Sequence, residues 1–302
     1  MRRLIARRAL LRRGAAFGLL GPALGRLPAV QAAAPASPPR LVSVGGALTE
    51  MVYALDAQSL LVGVDTTSLF PAAARSLPSV GYARTLSAEG VLSLAPTRVM
   101  ASEDAGPPAV LRQIVAAGVP VTVLPANHRF EGMLERLRRI GELTARQPQA
   151  DALAQRLRED WGAAQAQVAT HVAQRRGKPL RVLFVLSHAI SQVMVAGTDT
   201  SAQAMLEYAG AVNALAGFTG FKPLTVEAVI AAQPDVILAT DQGLQAAGGA
   251  AAIARLPGLA DTAAGRAQRV ASLEAMLLLG FGPRLPQAVR SLDNALLAVA
   301  PA

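Results

Sequence analysis

One segment of this chain occurs twice, and the repeat limits the fold more than any other feature. Leu86–Met100 aligns without a gap on Leu224–Leu238. Each copy opens on a hydroxyl residue suited to cap a helix, Ser87 or Thr225, and places a glutamate, Glu89 or Glu227, in the first turn, where the helix dipole favours an anion. A short apolar helix follows, a proline (Pro96 or Pro234) stops it, and an apolar β-type run completes the unit. Two such units far apart in sequence predict two similar α/β lobes.

The segment preceding the first copy, Val80-Gly81-Tyr82-Ala83-Arg84-Thr85, has no tyrosine counterpart before the second, so the first lobe carries something the second lacks. Gly81 supplies a flexible joint, and Tyr82 and Arg84 fall on the loop outside the helix. By residue type alone, a loop tyrosine is packing material more often than a ligand.

The first 34 residues read as a signal peptide. Arg2, Arg3, Arg7, Arg8, Arg12 and Arg13 form a basic start, an apolar run extends from Ala15 to about Leu24, and small residues around Ala32–Ala34 suit cleavage. The Arg12-Arg13 pair leaves a twin-arginine route open. These residues hold seven arginines and no acid, so their removal lowers the net charge from +9 to +2, and a nucleic-acid partner is not expected. There are no cysteines, which excludes disulfides, thiolate metal sites, cysteine nucleophiles and a lipid-bearing cysteine.

Short apolar strands alternate with helices in residues 40–130, the N-terminal lobe, and again in 179–302, the C-terminal lobe. This pattern predicts parallel-type sheets with helices on their faces. Residues 131–178 show no strand pattern and form a helical connector, interrupted at Pro148. In it Leu153, Leu157, Trp161, Ala164 and Val168 recur at helical spacing, and His171 is expected to be solvated. The expected fold is therefore α/β: two Rossmann-like lobes joined by a long backbone helix, with a ligand cleft between them.

Catalytic constellations are missing. The chain has His128, His171 and His188 only, at no metal-ligand spacing, and it has no Gly-x-Ser-x-Gly elbow, His-Glu-x-x-His or Walker loop. Gly45-Gly46 lacks the third glycine and the lysine of nucleotide motifs and reads as a structural turn. A binding protein rather than an enzyme is expected.

The run Gly81-Tyr82-x-Arg84-x-Leu86-Ser87-x-Glu89-Gly90 resembles the signature of haem-binding periplasmic proteins of bacterial ABC importers, within the helical-backbone class that includes cobalamin and siderophore receptors. Arg181–Val185, Met194–Gly197, Lys222-Pro223-Leu224-Thr225-x-Glu227, Pro234–Leu238 and Leu279–Arg284 resemble the same family, in the same order. The resemblance implies a monomeric periplasmic receptor for haem b, with Tyr82 as the axial iron ligand. It further implies that Glu89 and Glu227, one on each lobe, pair with arginines of an ABC permease dimer, and that an outer-membrane haem receptor acts upstream. Arg84 and Lys222 are candidates for the propionates. His188, after a strand of the second lobe, is read as lining the cleft; iron ligation and contact with a second stacked haem are its alternatives. Met51, Tyr53, Phe70, Phe218 and Phe221 could cover the porphyrin or fill the core. A cobalamin or ferric-siderophore receptor on the same fold is the alternative, since neither ligand requires an axial tyrosine.

Overall fold

Short, wholly buried apolar strands need cover on both faces, and the chain meets that need twice. The computed structural model describes residues 39–175, 178–187 and 193–301. Its first sheet contains β1 (Leu41–Val44), β2 (Leu61–Val64), β3 (Arg98–Ala101) and β4 (Val121–Val123), all parallel, in the order β2-β1-β3-β4. Helices α1 (Gly46–Ala54), α2 (Ala88–Leu92) and α3 (Pro108–Ala116) connect these strands.

Two helices then precede the second sheet, α4 (Phe130–Leu143) and α5 (Gln147–Gln174). The break between them falls at Thr144–Arg146, where Ala145 is left-handed (φ 54°), and not at Pro148. Pro148 lies in the first turn of α5, where its missing N–H costs nothing, so it starts the helix that it was expected to interrupt. At 28 residues α5 is about 42 Å long. It buries Leu157, Trp161, Ala164 and Val168 as the spacing predicts. His171 is not solvated as expected: its Nδ1 lies 2.6 Å from Oδ2 of the fully buried Asp293.

The second sheet contains β5 (Leu180–Ser187), β6 (Val193–Ala196), β7 (Ala211–Asn213), β8 (Phe221–Pro223), β9 (Val236–Thr240) and β10 (Val270–Leu273). The order is β10-β9-β5-β6-β8, with β7 also paired to β5. β9, β10 and β7 run parallel to their partners, whereas β6 is antiparallel to both β5 and β8. The sheet is therefore mixed rather than parallel throughout. The few residues between β5 and β6 are too short for a parallel crossover, which takes a dozen or more. Around it lie α6 (Ser201–Tyr208), α7 (Val226–Ala232), α8 (Asp241–Ala247), α9 (Ala250–Ala254), α10 (Ala263–Arg266), α11 (Ala275–Leu279) and α12 (Leu285–Val299). Among the described residues, no helix is long and apolar enough to cross a membrane.

One hydrophobic cluster runs from Leu48, Met51 and Met100 at the first sheet, through Leu137, Ile140 and Trp161 of the connector helices, to Phe184, Leu238 and Leu292 at the second. The opposite face of each sheet has a cluster of its own. Trp161 sits at the centre of an aromatic group, stacked on Phe130 at 4.5 Å and edge-on to Tyr208 at 4.7 Å. The Tyr208 hydroxyl accepts a hydrogen bond from the Phe130 N–H, which supplies the polar partner a buried tyrosine needs.

The repeat persists in three dimensions. Ser87 Oγ accepts from the Gly90 N–H and Thr225 Oγ1 from the Ala228 N–H, so both predicted caps form. Both units leave the helix through a left-handed residue just before the proline, Ala95 (φ 44°) and Gln233 (φ 41°). The equivalence also extends to a pair of arginines. Arg40 donates to the carbonyls of Leu94 and Ala95, and Arg181 donates twice to the carbonyl of Ala232. Each cation thus closes the carboxyl end of its helix, where the dipole is negative.

Gly132 allows α4 to start close against the loop after β4. A Cβ there would lie 1.9 Å from the Ala126 carbonyl oxygen. In an open helix Gly→Ala stabilises by up to about 1 kcal/mol. Here the clash with backbone dominates, so Gly132→Ala is expected to destabilise by about 3 kcal/mol, read as a lower denaturant midpoint.

Candidate functional site

The carboxyl ends of β1 and β2 are joined by one buried carboxylate. Asp65 accepts from the Gly45 N–H (2.9 Å), the Thr67 N–H (3.0 Å), the Thr67 hydroxyl (2.6 Å) and the Ser68 hydroxyl (2.9 Å). Gly45 has φ 128°, a conformation that favours glycine, and a Cβ on Gly46 would lie 2.3 Å from the Thr67 carbonyl oxygen. The Gly45-Gly46 pair is a structural turn closed by Asp65, as its sequence predicts.

This fixed turn supports the loop that bears Tyr82. The Thr66 N–H donates to the Gly81 carbonyl at 3.0 Å, and Val64 bridges to Ser79. Gly81 is left-handed (φ 91°) with open space where a Cβ would be, so backbone conformation rather than room demands glycine there. Tyr82 is extended and 42% exposed. Beyond it, the carbonyl of buried Ala83 accepts from the Gly106 N–H, and the Leu86 N–H donates to the Gly106 carbonyl, each at 2.9 Å. Tyr82 therefore projects from a segment pinned on both sides. Arg84, in the next turn, gives its guanidinium to Asp104 at 2.8 Å. Both partners are more than half exposed, so the pair adds roughly 0–1 kcal/mol.

One ionic contact ties α1 to the segment between α11 and α12, and a second holds α4 to the loop after β3. Arg284 donates through Nε and one terminal nitrogen to both oxygens of the nearly buried Glu50 in α1, each at 2.8 Å. Its guanidinium carbon lies 3.9 Å from the Phe70 ring centroid. Burial holds the Glu50 carboxyl above its usual range, and the hydrogen bonds and charge of Arg284 offset only part of that rise. Buried Arg136 of α4 donates to Glu103 at 2.7 Å and to the Leu124 carbonyl at 2.8 Å. Phe281, left-handed at φ 51°, packs against His128 with centroids 5.7 Å apart.

The other sequence candidates take separate places. Lys222 lies on β8 with its ammonium 5.0 Å from the Phe218 ring centroid. Glu89 and Glu227 are exposed in the first turns of α2 and α7. His188 lies outside the described residues. Of the five residues that could serve porphyrin or core, Met51 is fully buried, Tyr53 and Phe221 pack against the central cluster, and Phe218 packs against the cluster at the second sheet. Phe70, at 46%, is the most exposed of the five. Sequence reasoning missed the Glu50–Arg284 pair: Arg284 ends a family-like run, but no local pattern links it to Glu50, 234 residues away. Among the described residues, no group of three or more His, Cys, Asp or Glu is arranged to hold a metal ion.

Two α/β layers bridged by a long helix, with an exposed tyrosine at the carboxyl edge of one sheet, have the architecture of a two-lobed binding protein. The chain belongs to the periplasmic binding protein family, whose model matches residues 41–277. That is a family of binding proteins and not of enzymes, in agreement with the sequence. Among solved structures, it is similar to the periplasmic heme-binding protein BhuT in complex with two hemes, at 47% identity over 86% of this chain and 98% of that one, with a TM-score of 0.81. It is similar also to the periplasmic heme-binding protein RhuT from Roseiflexus sp. RS-1, at 39% identity over 87% and 99% of the two chains and a TM-score of 0.81. An uncharacterized ABC transporter substrate-binding lipoprotein of Bacillus subtilis, YvrC, is 28% identical over 86% of this chain and 80% of its own. The vitamin B12-binding protein of Pectobacterium atrosepticum is 26% identical over 68% and 73%.

Proposed function

We propose that this protein is an exported haem receptor that takes up haem b and delivers it to an ABC permease dimer in the inner membrane. The reading rests chiefly on similarity, at 47% identity and nearly full length, to a periplasmic haem-binding protein. Similarity to a vitamin B12-binding protein is weaker and covers less of the chain, so a corrin ligand is not favoured.

The chemistry of the chain agrees. The described residues lack a metal-binding cluster, but haem iron already has four porphyrin nitrogens and needs only one or two axial ligands from the protein. Tyr82 supplies that ligand. Arg84, on leaving Asp104, and Lys222 meet the propionates, and His188 lines the cleft without ligating iron. Glu89 and Glu227 dock the two permease subunits, one for each of lobes 40–130 and 179–302, which residues 131–178 connect. The receptor is a periplasmic monomer, released from its leader near residues 32–34 and loaded downstream of an outer-membrane haem receptor.

Equilibrium titration of the purified protein with hemin, cyanocobalamin and ferrioxamine tests the ligand class. Hemin is expected to bind at least about a hundredfold more tightly than either of the others, a difference of roughly 2.7 kcal/mol. Equal or tighter binding of cyanocobalamin or ferrioxamine contradicts the reading.

A further inference from the structure

The loop that follows β2 exposes a second aromatic ring besides Tyr82. Phe70 is 46% exposed, beside Leu69 at 37%, and both lie in the connection from β2 to α2 that also carries Tyr82, with a short 3-10 turn at Ala72–Ser76 between them. One exposed ring on a surface would need no explanation. This ring, however, is backed on one side. The planar Arg284 guanidinium is 3.9 Å from its centroid, close enough for direct cation–π attraction. The guanidinium is itself fixed by two 2.8 Å hydrogen bonds to Glu50, with Glu274 a further 3.9 Å away. Phe70 thus has one face held by a cation with little freedom to turn, while much of the ring remains open to solvent. Aromatic rings gain from stacking in offset geometry, and a preorganised ring loses little freedom on doing so.

We propose that Phe70, held by the Arg284–Glu50 pair, is a stacking platform for the tetrapyrrole plane, separate from the iron ligand. The proposal rests on the haem reading above and adds to it a specificity determinant that recognises the flat ring system irrespective of its metal. Arg284 is a positioning residue, acting through Phe70. Binding then has two components, an iron–oxygen bond at Tyr82 and ring stacking at Phe70, which respond to different substitutions.

Protoporphyrin IX, which has no iron, separates them. In the purified full chain, Phe70→Ala is expected to lower affinity for both hemin and protoporphyrin IX about tenfold, while the ferric-tyrosinate absorption of the hemin complex stays in place. Phe70→Trp restores both affinities. Because Phe70 is exposed, its substitution leaves the fold intact, and an unchanged thermal midpoint verifies this. Arg284→Lys, which loses the two-point grip on Glu50, lowers protoporphyrin affinity in the wild-type background but not further in Phe70→Ala. A purely structural Arg284 would act equally in both backgrounds. Wild-type protoporphyrin IX affinity in Phe70→Ala, alongside normal hemin binding by the unmodified chain, overturns this proposal alone. Failure of the unmodified chain to bind hemin overturns the haem reading and this proposal together.

Discussion

Tyr82→Ala is expected to abolish the ferric-tyrosinate absorption bands of the hemin complex and to weaken hemin binding by about a hundredfold or more, since even an indirect partner of a metal ligand is worth 10–100-fold. Ferric iron is a hard cation and a phenolate oxygen a hard ligand, so their bond contributes much of the affinity. A free phenol has a pKa near 10, so something must favour the phenolate. Arg84 is only two residues away in sequence, but it is engaged by Asp104 in an exposed pair. The iron is the stronger agent, because a coordinated cation inverts the local proton preference of its ligand. Arg84→Ala is accordingly expected to leave the tyrosinate bands in place, unlike Tyr82→Ala. A wild-type spectrum and affinity in Tyr82→Ala would remove the residue from the site.

The second large effect concerns delivery. Glu89 and Glu227 occupy equivalent first-turn positions behind equivalent caps, and both are exposed. As helix-end charges alone they contribute only a few tenths of a kcal/mol to stability. The double variant Glu89→Ala with Glu227→Ala should therefore fold normally and bind hemin with near wild-type affinity. In vesicles carrying the cognate permease it should lose haem transport, by more than the two single changes combined if either lobe alone retains a partial grip. Lysine at both positions should be worse than alanine, because it adds repulsion against permease arginines. Wild-type transport by the double alanine variant would return both glutamates to their role in the helix ends.

How far the fold could be read depended on the range of the interaction. Caps, prolines and strand runs are local, so the repeated unit and its two glutamates were visible in the residues themselves. The periodic face of α5 was visible for the same reason, and Trp161 and its neighbours are buried as expected. Strands β7 and β8 have three residues each, too few for a period-two pattern. Arg40 and Arg181 close their helices across more than fifty residues of sequence, and Glu50 finds Arg284 across most of the chain. No spacing rule reaches so far. His171 was misjudged similarly: its position on α5 was right, but its partner Asp293 comes from α12. At the site, Tyr82 was singled out by its lack of a counterpart before the second repeat and by family resemblance, not by residue type. Phe70 could not be told from a core phenylalanine until its exposure and its Arg284 backing were known.

Coordination of haem iron by the Tyr82 phenolate, as proposed above, would carry a vibrational signature of its own. Resonance Raman spectroscopy of the hemin-loaded protein tests it most directly, with excitation in the tyrosinate charge-transfer band and with tyrosine carrying a ring isotope label. The chain has only three tyrosines, and the other two, Tyr53 and Tyr208, pack against the core, so the label reports almost on one site. Enhanced phenolate modes that shift with the label and vanish in Tyr82→Phe are expected. A spectrum without label-sensitive modes, or one unchanged in Tyr82→Phe, would contradict that coordination.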